Sequence, residues 1–292
     1  MVFRTIQCNE ILRPFIRNYW LLTSYCTATG IQQVFSNGAA SLHFYLSQGV
    51  RIDGEEQHYG TVLFHQNMQK VEIVSEKGPF NVFGVEFVPF CSRMFFRDEM
   101  RGIYASPEEL HDEELAVLSQ RIHEAVGTED RVVLLDDFFM KRLSEFPEGD
   151  VNIERLNDVF DGMVPTDGTA TGCREQFSTA DLASTACLSQ KQFTRIFSKY
   201  VGMNPKSYLR LLRFHKALMM LQSEASSPSG NNRMNVAWQC GYYDLAHMIS
   251  DFRDICGYSP SELIHSGPKL TEAFSSQFSG LMKKKIKIEN LI

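Results

Sequence analysis

Between Lys191 and Lys199 the chain sets out side chains that bind nucleic acid, spaced as they would be along one open helix flank. Lys191, Gln192, Thr194, Arg195 and Lys199 interleave with Phe193, Ile196 and Phe197, whose three- and four-residue spacing marks the buried stripe of a helix. Arginine can pair bidentately with guanine and glutamine with adenine, so such a flank can read base edges in a major groove. Just upstream, Ser178-Thr179-Ala180-Asp181 has capping-box spacing and opens a helix whose apolar face is Leu182, Ala183 and Ala186. Cys187-Leu188-Ser189 supplies a turn, with Leu188 dropped inward and Ser189 able to cap the next helix. Helix, turn and reading helix form the arrangement that places a second helix in the major groove. Gly202-Met203-Asn204-Pro205 ends that helix, and a long amphipathic one follows from Lys206 to Leu221 through Tyr208, Leu211, Leu212 and Leu218.

A shorter version of the same pattern runs from Asn235 to Gly257. Asn235-Val236-Ala237-Trp238-Gln239-Cys240-Gly241 reads as a short helix stopped by glycine. Tyr242-Tyr243-Asp244 forms the turn, Asp244 caps, and Leu245–Ile255 buries Met248, Phe252 and Ile255. Gly257-Tyr258-Ser259-Pro260 then echoes Gly202-Met203-Asn204-Pro205, which makes an internal duplication the simplest reading.

The net charge of −6 suits a DNA binder only once it is divided along the chain. Residues 1–174 carry −11, residues 175–265 carry +2 and residues 266–292 carry +3. Within the helical block, Lys191, Arg195, Lys199, Lys206, Arg210, Arg213 and Lys216 face Asp181 as the sole acid from Phe177 to Lys216. From Met234 to His265, Arg253 alone stands against Asp244, Asp251, Asp254 and Glu262. Phosphate contacts supply most nonspecific affinity, so the first unit should carry most of it.

The remaining sequence points to an α+β protein in three pieces. From Met1 to Val88, short apolar or alternating runs (Ser41–Leu46, Thr61–His65, Lys70–Val74, Asn81–Val88) read as strands. From Pro107 to Phe146 the period turns helical through Leu115, Leu118, Ile122 and Val126, then Val133, Leu134, Phe138 and Leu143. The expected domains are residues 1–163, a Gly- and Thr-rich linker at 164–175, a helical domain at 176–266 and a basic tail at 267–292 ending in Lys283–Lys287. Seven scattered cysteines (8, 26, 91, 173, 187, 240, 256) without a C-x-x-C pair argue for reduced thiols and against a zinc site. The absence of a long apolar run or a signal-like start makes a cytoplasmic protein the expectation.

Residues 176–264 resemble the DNA-binding domain of the AraC/XylS family of bacterial transcription regulators. The likeness rests on L-S-x-x-x-F-x-R-x-F-x-x-x-x-G-x-x-P from Leu188 to Pro205, A-x-x-C-G-Y-Y-D from Ala237 to Asp244, and H-x-x-x-D-F-x-x-x-x-G-Y-S-P from His247 to Pro260. It implies a seven-helix domain of two helix-turn-helix subdomains joined by the long helix. On that alignment the base-facing positions are Lys191, Gln192, Thr194 and Arg195 in the first unit and Leu245, Ala246 and Ser250 in the second. Ser189, Lys199, Lys206, Arg210 and Arg253 are then expected on phosphates. Cys187 stands where the family usually has glycine, and the loop Gln222–Met234 is longer than usual. The reading positions of the second unit are apolar or small, which suits thymine methyl groups better than hydrogen-bonding edges. His247 is expected to pack or hold a turn.

The N-terminal piece resembles, more loosely, an uncharacterised cupin-like domain found ahead of such DNA-binding domains, through Leu12–Trp20 and Asn81–Pro89. The resemblance implies a β-rich sensor or dimerisation domain with trailing helices. His43, Tyr45, His65 and Glu86 lie on expected strands and could line an effector pocket. No H-x-H occurs anywhere, so a metal-bearing cupin is not expected, and no cofactor or catalytic motif is found. The expected partner is double-stranded promoter DNA; a small-molecule effector, RNA polymerase and a second copy of the chain are further candidates. The alternative is a small-molecule-binding or catalytic cupin-like protein whose helical half docks protein partners.

Overall fold

Period-two alternation along Ile16–Ser24 and Phe80–Phe87 builds the centre of a sheet whose two faces do different work. In a computed structural model the described residues are 2–24, 30–34, 38–47, 50–52, 55–57, 61–64, 71–75, 80–96, 104–105, 111–146, 150–163, 177–225 and 233–266. The strands among them are β1 (Val2–Ile6), β2 (Ile16–Ser24), β3 (Gly30–Val34), β4 (Ser41–Tyr45), β5 (Val50–Ile52), β6 (Glu55–Gln57), β7 (Thr61–Phe64), β8 (Val71–Ser75), β9 (Phe80–Phe87) and β10 (Tyr104–Ala105). They form two antiparallel sheets, ordered β1-β2-β9-β4-β7-β10 and β3-β8-β5-β6. All four strands expected from the sequence are present within a residue or so of their expected ends.

Register separates the faces of the larger sheet. Asn18 pairs with Glu86 and Trp20 with Gly84 across β2 and β9, while Ser41 pairs with Glu86 and His43 with Gly84 across β9 and β4. Asn18, Trp20, Ser41, His43, Tyr45 and Glu86 therefore share one face. Gly84 is required there: a Cβ would fall 2.1 Å from the Trp20 indole. The opposite face, with Tyr19, Val85, Phe87 and Phe44, is covered by α1 (Ser92–Phe95), α2 (Glu113–Glu124) and α3 (Thr128–Ser144). Phe139 of α3 meets Phe87 at 5.6 Å and Phe95 at 4.9 Å, both edge-on. Tyr19 donates to Asp136 Oδ1 at 2.8 Å, which ties α3 to β2.

The expected helical phase over 107–146 needs one correction. Val126 sits in the turn between α2 and α3 at 95% exposure, and Val133 is exposed, whereas Leu135 and Phe139 are fully buried. Leu134, Phe138 and Leu143 pack against the core as expected, beside Leu135 and Phe139, while the two valines drop out because α3 starts afresh at Thr128 after the break. Asp112 caps α2 and takes both arms of Arg142, at 2.7 and 2.6 Å.

The helical part comprises α4 (Val151–Met163), α5 (Thr179–Thr185), α6 (Gln190–Val201), α7 (Pro205–Ala225), α8 (Arg233–Gln239), α9 (Leu245–Cys256) and α10 (Pro260–Ser266). α4, which had no clear signature in the sequence, joins the two halves. Its Phe160 stacks on Phe197 of α6 with the rings 5.9 Å apart and 6° from parallel, and it meets Tyr208 of α7 at 5.5 Å and Phe90 at 5.1 Å. Among the described residues six of these helices, α5 to α10, fall within 176–266, where the family resemblance implies seven; α4 precedes that stretch. No helix among the described residues is long and apolar enough to cross a membrane. His65, the whole 164–175 linker, most of the 222–234 loop and the 267–292 tail lie outside the described residues.

Candidate nucleic-acid interface

Reciprocal caps position the first unit. The Asp181 amide donates to Ser178 Oγ at 3.2 Å and the Ser178 amide donates to Asp181 Oδ2 at 2.7 Å, which starts α5. Those bonds from Ser178 hold the Asp181 carboxyl below the usual carboxylate range. Cys187 then adopts φ 53°, the left-handed conformation that glycine reaches freely. A cysteine there costs about 1 kcal/mol. It lets the Leu188 amide reach the Ala183 carbonyl at 2.9 Å and turns the chain into α6.

α6 has a buried back and an open front. Phe193 and Phe197 have no exposure, and Tyr200 and Val201 are buried beside them. Lys191, Gln192, Arg195 and Lys199 are exposed and Thr194 is half-buried. Gln192 has a second task the sequence pattern did not separate from reading. Its Oε1 accepts from the Ser189 amide at 3.3 Å and from the Ser189 hydroxyl at 2.8 Å, closing a capping box. Bidentate pairing with adenine uses both ends of the amide, so Gln192 must leave the box to read in that way. Ser189 is committed to the same box, which competes with its expected phosphate contact. Lys206 stands exposed in the first turn of α7.

The second unit repeats this geometry. Gly241 at φ 79° occupies the place of Cys187, and the Tyr242 amide reaches the Ala237 carbonyl at 2.9 Å as Leu188 does in the first unit. One residue is then inserted: Tyr243, 87% exposed, precedes the cap Asp244, which accepts from the His247 amide at 2.7 Å. His247 packs edge-on against Tyr242 at 5.3 Å, the packing role expected for it. α6 and α9 each span twelve residues and each ends on a left-handed glycine, Gly202 at φ 84° and Gly257 at φ 82°. On α9, Ala246 and Ser250 are exposed and Leu245 is half-buried.

Of the residues expected on phosphates, Lys199, Lys206 and Arg253 are exposed. Arg210 is not free in the same sense. Its Nε donates to Asp251 at 2.7 Å and its second nitrogen to Asp254 at 2.6 Å. Burial alone would lower the Arg210 guanidinium, but the two carboxylates outweigh it and leave it above its ordinary value. Arg213 donates to the other oxygen of Asp251 at 3.1 Å and lies over the Tyr242 ring at 4.7 Å.

The back of α6 is fastened to the N-terminal half by contacts with no local sequence signature. Arg93 donates to the Lys199 carbonyl at 3.4 Å and lies over the Tyr200 ring at 5.3 Å; Tyr200 in turn donates to Asp150 at 2.5 Å. A bulge between Ile16 and Asn18 accompanies Arg17, which pairs with Glu86 at 2.9 Å. Burial lowers the Arg17 guanidinium although Glu86 opposes the shift.

The expected effector residues are partly brought together. His43, Tyr45 and Glu86 share the inner face, all buried, with Trp20 edge-on to His43 at 4.8 Å. Burial holds His43 down to about 3 and pushes the Tyr45 hydroxyl up, so both are neutral at pH 7. A histidine depressed from about 6.5 gives stability that is complete above pH 6.5 and is lost as pH falls toward 3. Between pH 6.5 and 5 this amounts to about 2 kcal/mol. Urea unfolding of His43→Gln should show a correspondingly flatter dependence in that window; an unchanged slope would place the titration elsewhere.

A helix-turn-helix domain family matches residues 182–266, and a domain of unknown function (DUF6597) matches residues 4–106. The HTH-type transcriptional regulator YidL of Escherichia coli is 31% identical over 91 residues, which is 31% of this chain and 29% of that protein. The HTH-type transcriptional regulator ArgR of Pseudomonas aeruginosa is 30% identical over 88 residues, 30% of this chain and 25% of that protein. The chain thus spans less than a third of each of these relatives. The structure of ToxT from Vibrio cholerae aligns over 84% of this chain and 97% of its own, with 12% identity and a TM-score of 0.47. With two capped reading helices closed by left-handed glycines and a matching domain family over the same stretch, the C-terminal part of the chain is a tandem helix-turn-helix domain of the AraC/XylS family.

Proposed function

We propose that the protein is a sequence-specific DNA-binding transcription regulator, with promoter DNA as its partner and no catalytic role. The observation that carries this reading is α6, whose exposed Lys191 and Arg195, with half-buried Thr194 between them, lie opposite a back of buried phenylalanines. Arg195 and Lys191 read guanine edges, Thr194 supplies a further contact, and Lys199, Lys206 and Arg253 hold phosphates. Leu245, Ala246 and Ser250 give the second unit small, largely apolar readout. The domain boundary is kept at the 164–175 linker expected from the sequence, with α4 before it packing through Phe160 on Phe197 of α6. The inner face of the larger sheet, with His43, Tyr45 and Glu86, is the proposed effector site. There Asn18 Oδ1 is buried with no hydrogen-bond partner among the described residues, an acceptor that a hydroxyl or amine on a ligand would satisfy.

The test is selection of duplexes from a random pool by the full-length chain. Enrichment of one motif, with affinity falling as salt rises, is the expected result. The competing reading, a ligand-binding protein whose helical half docks partners, keeps some support from the acidity of the second unit, and it predicts no enrichment. Absence of enrichment would reject the regulator.

A further inference from the structure

The first and second units differ in what surrounds the reading helix. Both reading helices rest on buried apolar side chains, α9 through Phe252 edge-on to Phe214 of α7 at 4.6 Å, but α9 adds a charged seat on α7. Asp251 lies on α9 next to the reading position Ser250, is 4% exposed, and accepts from both Arg210 and Arg213, one turn apart on α7. Asp254, at the exposed edge of the same helix, takes the remaining arm of Arg210 at 2.6 Å. Arg210, expected on a phosphate, and its neighbour Arg213 are thereby engaged by carboxylates of α9.

We propose that Asp251 is the positioning residue of the second unit. By gripping Arg210 and Arg213 it fixes the seat of α9 on α7, and so the spacing at which the two units meet the duplex. The same grip withholds two cationic groups from phosphates. A buried carboxylate shared by two arginines is sensitive to loss of either side, because removing a partner strands the other charge. The second unit is therefore a reader with little electrostatic hold of its own, and specificity at its half of the site depends on the geometry Asp251 sets.

This inference rests on the DNA-binding reading, and the experiment separates the two. The full chain and the variants Arg210→Gln and Asp251→Asn are titrated with the duplex selected by the wild type, across a range of salt. The same titrations are run on duplexes with one base pair added or removed between the two half-sites. Each phosphate contact contributes about 0.9 to the slope of log affinity against log salt. Arg210→Gln is expected to leave the slope where it was and to weaken the preference for the original spacing. Asp251→Asn is expected to steepen the slope by about 0.9–1.8 as one or both arginines reach phosphates, with spacing preference again reduced. A slope shallower by about 0.9 in Arg210→Gln would make Arg210 a phosphate contact and overturn the proposal. Unchanged spacing preference in both variants would overturn it equally. Should Asp251→Asn fail to fold, Arg210→Gln decides the matter alone. A wild type that retains no duplex at any salt overturns the regulator reading and this inference together.

Discussion

Arg195→Ala should weaken binding to the selected duplex by about 1–3 kcal/mol while leaving binding to random duplex nearly unchanged. Arg195 is exposed on the front of α6, and its neighbours toward the core, Phe193 and Phe197, are fully buried, so truncation removes a reading group without opening the core. The expected signature is loss of preference at one base pair. Lys206→Ala is the contrast, because a phosphate contact carries no sequence information and its loss should lower affinity for all duplexes alike. Gel-shift titration of both variants at one fixed salt concentration distinguishes them. Equal affinity of Arg195→Ala and wild type for the selected duplex would remove Arg195 from the reading set.

Phe197→Ala should cost about 3–5 kcal/mol of folding stability, a large share of what holds a typical domain together. Phe197 touches Phe193 at 5.4 Å, Tyr208 at 5.5 Å and Phe160 at 5.9 Å, so one truncation opens a cavity shared by α4, α6 and α7. Loss of the ring should also loosen the seat of α6 against Arg93 and Asp150, since Tyr200 is carried on the same helix end. Chemical denaturation gives the stability change. A cost under 1 kcal/mol would mean that these rings do not form a shared core and that the two halves are not joined as described.

The helix-turn-helix units were legible because capping boxes, glycine stops and apolar spacing are local. Ser178 with Asp181, Ser189 before α6, Gly202, Asp244 and Gly257 all occupy the places their spacing implied. Even the left-handed Cys187 was foreseeable, since a turn geometry shared by a family persists when its glycine is lost. Contacts between distant segments were not legible. Nothing near Asp251 in sequence reveals Arg210, 41 residues away, and nothing near Tyr200 reveals Asp150, 50 residues away. Arg210 was therefore expected on a phosphate, although its hydrogen bonds run to carboxylates. Gln192 shows a subtler limit. Its type fits both adenine recognition and the reciprocal cap with Ser189, and spacing alone does not separate the two. In the N-terminal half the alternation of β4 and β9 exposed the strands, yet Val126 and Val133 were read into the core because the start of α3 at Thr128 resets the helical count.

Chemical footprinting of the full-length chain on its selected duplex tests the central claim most directly. Two capped reading helices on one long connector should protect two major-groove segments on the same face of the duplex, about one helical turn apart. Arg195→Ala should then erase protection in one segment first. Protection of a single segment, or of none, would contradict the tandem reading.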